Sequence, residues 1–143
     1  MINHDGDLLA ELLALETAAM DRWGAGDPDG FLELSADDVT YFDPWQPTRL
    51  DGRAALAAMY DGVRGTVHID SYAFVEPAVC AAGDLAVLSY RFESTGGEGV
   101  MRWNTTEVFR RVAEPGGGPG WEIVHTHWAL TEVGRVLDAT SGS

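Results

Sequence analysis

The 143-residue sequence predicts an α+β domain, with three N-terminal helices packed on one face of a strongly curved, mostly antiparallel sheet that encloses a pocket. Three observations point to this. Apolar residues recur at helical spacing only as far as Val63. Beyond Thr66 the chain turns to runs of Val, Tyr, Phe, Thr and Trp cut by glycine and proline. Val100 to Glu132 then reads as one long hairpin around Pro115 to Gly120, a loop whose glycines permit positive φ and whose prolines cannot serve a ladder. One core is expected over residues 1–143, since a chain of this length needs neither disulfide nor metal to fold.

Asp7 can cap a first helix carrying Leu8, Leu12, Leu15 and Ala19 on one face, ended by Gly24 and Gly26. Asp27 and Pro28 form an N-cap with proline at the first helical position, opening a short second helix with Phe31, Leu32 and Leu34. Asp37 and Asp38 read as a turn, and Val39 to Asp43 as a short strand stopped by Pro44. A third helix from about Gly52 places Leu56, Met59, Tyr60 and Val63 on one stripe. Strands follow from Thr66 to Cys80, with Pro77 marking an edge or bulge, and from Leu85 to Ser94, before a glycine turn at Gly96 to Gly99. Residues 134–143 read as a loose tail.

Strict alternation along the hairpin sends Trp103, Thr105, Glu107 and Phe109 one way and Arg102, Asn104, Thr106, Val108 and Arg110 the other. On the return strand Val124, Thr126, Trp128 and Leu130 oppose Trp121, Ile123, His125 and His127. Both faces mix large apolar with polar groups, so both are expected to be covered. One face would wrap a cavity. The other, bearing Arg102, Asn104, Thr106, His125 and His127, would join two copies in a homodimer, because Trp121, Ile123 and Val108 would not be left in water.

Twenty-three acidic residues against nine basic ones give a net charge of −14, which repels phosphate backbones and anionic lipid, so no nucleic-acid or membrane partner is expected. Every basic residue is arginine, which excludes Schiff-base chemistry and a P-loop, both of which need lysine. A lone cysteine, Cys80, and an acidic start without a basic, apolar leader fit a cytoplasmic protein.

The segment ADDVTYFDPWQPTRLDGRAALAAMY, Ala36 to Tyr60, resembles ketosteroid isomerases in its Ala-Asp-Asp turn, its Asp-Pro strand end and its Gly-Arg helix start followed by tyrosine. WEIVHTHWA, Trp121 to Ala129, resembles the last strand of SnoaL-like polyketide cyclases and of the association domain of calcium/calmodulin-dependent protein kinase. All belong to the nuclear transport factor 2-like superfamily. The resemblance implies its cone-shaped, cystatin-like fold, a pocket for an apolar small molecule, and either cofactor-free isomerase or cyclase chemistry or a non-catalytic dimeric binding or oligomerisation module.

The site residues that follow are Asp43, Glu107, Tyr41, Trp45, Tyr60, Arg91, Trp103 and Trp128. Asp43 has two readings: an Asx-type turn acceptor before Pro44, or, as the resemblance implies, the base that takes a proton from carbon next to a carbonyl. Glu107 stands where the family places a protonated carboxylic acid that donates to an enolate oxygen, a role for which ketosteroid isomerase is the standard illustration. Arg91 on the preceding strand offers the other reading, an ion pair that keeps Glu107 charged. The aromatic residues read as core or as the walls of a pocket. The family's helix-one tyrosine is replaced here by Ala19, a departure that argues against a faithful steroid isomerase, with Tyr41, Tyr60 and Tyr90 as substitutes. His125 and His127 could ligate zinc but lack a third ligand beyond the distant His68, so neither metal nor cofactor is expected.

Overall fold

Leu8, Leu12, Ala19 and Met20 are spaced to share one face of a helix, and in the computed structural model they are buried along α1 (Gly6–Gly24). The structure describes residues 4–97, 99–113 and 120–131. The N-cap of α1 is Asp5 and not Asp7: the Asp5 carboxylate accepts the Asp7 N–H at 2.8 Å. α2 (Asp29–Leu34) has Pro28 and not Asp27 at its N-cap; Asp27 stands one residue earlier, where its Oδ1 accepts the Asp29 N–H at 2.9 Å and its Oδ2 the Arg22 Nε–H at 2.8 Å. Gly30 lets α2 lie tightly on α1, since a Cβ there would sit 3.0 Å from the Ala19 Cα.

Asp37 and Asp38 make no turn. They are exposed on β1 (Ser35–Phe42), where the pairing with the last strand slips between Ser35 and Thr40, and Asp38 is held by Arg110 at 3.0 Å. The short β2 (Leu50–Asp51) folds back antiparallel on β1, and α3 (Arg53–Val63) follows with Leu56 and Tyr60 buried. The next strand begins at Ser71 and not at Thr66, because Thr66 and Ile69 direct their N–H groups to the Val63 and Gly24 carbonyls. β3 (Ser71–Ala82), β4 (Leu85–Gly96), β5 (Gly99–Arg111) and β6 (Trp121–Leu130) form an antiparallel meander. The six-stranded sheet runs β2-β1-β6-β5-β4-β3, with β1 parallel to β6. β3 is an edge strand, and at Pro77 its pairing jumps from Val75 to Ala78, with Glu76 at a φ of 51°. The expected loop at residues 115–119 and the tail at 134–143 lie outside the described residues. No helix among the described residues is long and apolar enough to cross a membrane.

One irregularity reorganises the hairpin. Val108 pairs with His125 but Phe109 pairs with Ile123, so Val124 is an extra residue in β6 and the alternation reverses across it. Trp121 and Ile123 therefore join Thr126 and Trp128 on the inner face, where each of the first two is 1% exposed. This corrects the expectation that Trp121 and Ile123 lie with His125 and His127. The Trp121 indole N–H donates to Glu11 Oε2 at 3.0 Å, tying α1 to β6.

Gly96 pairs with Gly99 at the β4–β5 turn, and a Cβ on it would fall 2.6 Å from the backbone oxygen of His68. Backbone cannot swing aside as a side chain can. Gly96→Ala should cost about 1–3 kcal/mol in urea unfolding, whereas Gly97→Ala, with open space around it, should cost far less.

Candidate functional site

The helices and the inner sheet face enclose a pocket of about 470 Å³. Met20, Trp23, Phe31 and Tyr60 line it from the helices, and Phe92, Trp103, Ile123 and Trp128 from the sheet. Its aromatic wall is continuous. Trp45 meets Trp103 edge-on at 5.3 Å, Trp103 meets Trp128 at 5.7 Å, and Trp128 meets Phe92 at 5.4 Å. Trp45 is 63% exposed and so stands at the mouth.

Asp43 lies near that mouth, carried there by the end of β1, two residues after Tyr41 on the same side of the chain. Its Oδ1 accepts the N–H groups of Trp45 and Gln46 at 2.8 and 3.0 Å, and its Oδ2 accepts the Tyr41 hydroxyl at 2.8 Å. The Asx-type turn is thus real. It also fixes the carboxylate, leaving capacity on Oδ2 to accept one further hydrogen. Burial, and then the charges of Tyr60 and Asp43, raise the Tyr41 hydroxyl well above its ordinary range, so it stays a donor to Asp43.

Glu107 lines the dry interior of the same pocket. Period-two alternation along β5 turns it inward with Thr105 and Phe109, and it is 1% exposed. Thr126, directly across on β6, donates its hydroxyl to Glu107 Oε2 at 2.9 Å. Arg91 is not its partner. Arg91 opposes Asn104, while Tyr90 and Phe92 turn inward, so Arg91 points to the outer face and pairs there with Glu76 at 3.3 Å.

Behind Glu107 stands a carboxyl that the sequence reading missed. Leu12, Glu16 and Met20 are spaced four apart on the buried stripe of α1, and Glu16 is 0% exposed. A glutamate at the spacing of an apolar stripe was the signal available. The Tyr90 hydroxyl donates to Glu16 Oε1 at 2.6 Å and stands 3.5 Å from Glu107 Oε1, bridging the two acids. Burial, and then the charge of Glu107, push the Glu16 carboxyl far above its ordinary value. Burial also raises Glu107, while the polar side chains of Glu16, Thr126 and Tyr90 around it act the other way. Tyr60, raised by burial and then by the charge of Glu107, lines the pocket with no hydrogen-bond partner for its hydroxyl among the described residues.

Seven of the eight expected site residues, Tyr41, Asp43, Trp45, Tyr60, Trp103, Glu107 and Trp128, line this one pocket, and Arg91 does not. His125 and His127 lie on the outer face, where His125 Nδ1 meets Thr40 Oγ1 at 2.7 Å. His68 pairs with Asp70 at 2.6 Å on the approach to β3, away from the other two histidines.

A family model described as SnoaL-like domain matches residues 17–131. Among solved structures, the chain is similar to a candidate ketosteroid isomerase from Parabacteroides distasonis, at 34% identity over 85% of this chain and 86% of that one, with a TM-score of 0.74. It is also similar to an NTF2-like protein of unknown function from Pseudomonas putida, at 24% identity over 89% of each chain and a TM-score of 0.72. The S. rosetta CaMKII hub aligns at 21% identity over 85% of this chain and 95% of that one, with a TM-score of 0.66. No curated protein matches the sequence.

A carboxyl raised above 4.5 in the fold contributes stability that is fully present below that pH and is lost as pH rises, because the unfolded chain releases the proton while the folded one must keep it. The loss runs at about 1.4 kcal/mol per pH unit until the folded carboxyl ionises too. Glu16→Gln keeps the shape without the titration. Its Tm should match that of the wild type at pH 4 and exceed it by more than about 5 °C at pH 7 in a thermal melt.

Proposed function

The chain belongs to the SnoaL-like domain family, and from that premise we propose that it is a cofactor-independent proton-transfer enzyme, an isomerase or cyclase acting next to the carbonyl of an apolar small molecule. The observation that carries this reading is an aromatic pocket in which the Asp43 carboxylate at the mouth and the Glu107 carboxyl in the dry interior face the same space. Asp43 Oδ2 takes the proton from the carbon beside the carbonyl, and the electron pair of that C–H bond passes to the carbonyl oxygen as an enolate. The enolate needs donors in a water-poor setting. Glu107 supplies one when protonated. The Tyr60 hydroxyl supplies a second, since those of Tyr41 and Tyr90 are given to Asp43 and Glu16. Tyr60 would thus replace the tyrosine that the family resemblance places where Ala19 stands. Asp43 then returns the proton to the same carbon or to a conjugated one, leaving the enzyme unchanged.

A homodimer through the outer sheet face bearing Arg102, Asn104, Thr106, His125 and His127 belongs to the same proposal. Trp121 and Ile123 no longer support it, because the bulge at Val124 turns them inward. Phe42 does support it: it is 37% exposed on that face, against His125 and His127 at 5.7 and 5.2 Å. A cytoplasmic location is proposed with it, resting on the lone cysteine. If the pocket proves to be without catalysis, the same dimer is the reading left, as a small-ligand-binding or oligomerisation module. Light scattering at micromolar concentration should give twice the chain mass for the wild type, and Phe42→Arg should shift it toward the single chain.

The catalytic reading depends on Asp43. Asp43→Asn can still accept the Trp45 and Gln46 N–H groups and can donate to the Tyr41 oxygen, so the turn should hold and stability should barely change. Its loss of proton affinity should lower the rate by about 100-fold or more. The assay is deuterium uptake from heavy water by β,γ-unsaturated and 1,3-dicarbonyl ketones, followed by NMR. Exchange no faster with the wild type than with Asp43→Asn, across several ketones, would remove Asp43 as the base.

A further inference from the structure

Glu16 takes no part in the steps above, yet it is 0% exposed and its Tyr90 partner stands between it and Glu107. Its two oxygens are unequal. Oε1 accepts from Tyr90 at 2.6 Å, while Oε2 is buried with no hydrogen-bond partner among the described residues. A buried carboxylate oxygen without a donor is costly. The same oxygen carrying a proton needs an acceptor instead, and the carboxyl on the other side of the Tyr90 hydroxyl is Glu107, to which Thr126 donates.

We propose that Glu16 keeps its proton across neutral pH and donates it to Glu107, so that Glu107 is the member of the pair that titrates and Glu16 is the positioning residue that sets its proton affinity. Glu107 then has two states. With a second proton on the pair it is a donor toward the pocket. Above its own titration it is a carboxylate held by two donors, Glu16 and Thr126, while the Tyr90 hydroxyl, whose single hydrogen goes to Glu16, stands 3.5 Å away, and it offers the pocket an acceptor. The groups facing the pair are Tyr90 from β4 and Thr126 from β6, with Tyr60 of α3 and Tyr41 of β1 close enough to be raised by the Glu107 charge. No arginine or histidine among the described residues hydrogen-bonds either carboxyl. The catalytic consequence rests on the proton-transfer reading given above: the rate would fall as pH rises through the Glu107 titration. The proton assignment itself does not rest on it.

Carboxyl carbon NMR of the full chain labelled at glutamate tests the assignment without any substrate, with Glu16→Gln and Glu107→Gln identifying the two signals. The Glu16 signal should stay at the protonated position at pH 7. Glu16→Gln supplies an amide N–H to Glu107 and an oxygen to Tyr90, so it should leave the Glu107 midpoint within about half a unit. Glu16→Leu removes the donor and should raise that midpoint by about one unit or more. An ionised Glu16 at pH 7, or a fall of more than about one unit in the Glu107 midpoint of Glu16→Gln, would overturn the proposal, since either makes Glu16 the charged member. Absence of ketone exchange would remove the proton-transfer reading and leave these shifts to be read as they stand.

Discussion

Two carboxyl groups buried together without a cation among the described residues are the constraint on which the rest of this molecule depends. An isolated ionised carboxylate in a protein interior costs several kcal/mol, and a second beside it costs more. The arginines that could compensate lie outside: Arg22, Arg49, Arg64, Arg91, Arg102 and Arg110 all pair with surface acids. What Glu16 and Glu107 receive instead is hydroxyls, from Tyr90 and Thr126. Three elements must be in register for that to work. α1 must present Glu16 on its apolar stripe, β4 must aim Tyr90 inward, and β6 must place Thr126 across from Glu107.

The pocket inherits its polarity from this arrangement. At the mouth, Asp43 is fixed as a hydrogen-bonded carboxylate by its own turn and by Tyr41. In the dry interior, burial favours protonated acids and hydroxyls that donate. A carboxylate near the mouth and proton-holding groups in the dry interior of one aromatic pocket suit the proposed substrate, which loses a proton at one atom and gains charge at another. The bulge in β6 is needed as well. Without it Trp121 and Ile123 would face outward and the inner face would lose two of its largest closing side chains.

Much of the fold was legible because short-range patterns agree with it. Leu56, Met59, Tyr60 and Val63 mark a helix face, Pro44 ends a strand, and Pro77 marks both an edge and a bulge. Alternation placed Trp103 and Glu107 on the pocket side of β5 correctly, since β5 itself carries no extra residue. It failed on β6, where one added residue, Val124, re-aims everything before it, and no glycine or proline in the strand announces the change. Arg91 does not share the face of Glu107 because the register of β4 against β5, carried through the Gly96–Gly99 turn, pairs Leu88 and not Arg91 with Glu107. Glu16 is hard to read from sequence for a different reason. A charged residue within a helix reads as surface, although its four-residue spacing from Leu12 and Met20 put it in the core.

The central claim is that charge developing on a bound molecule is met in the dry interior of the pocket, by Glu107 and Tyr60. A crystal structure with a planar aromatic alcohol, such as a naphthol, tests it most directly, because the phenolic oxygen imitates an enolate oxygen on an apolar frame. The oxygen should lie within hydrogen-bond distance of both the Glu107 carboxyl and the Tyr60 hydroxyl, with the rings against Trp103 and Trp128. A naphthol bound with its oxygen at the mouth beside Trp45, or on the outer face of the sheet with the pocket empty, would contradict the account.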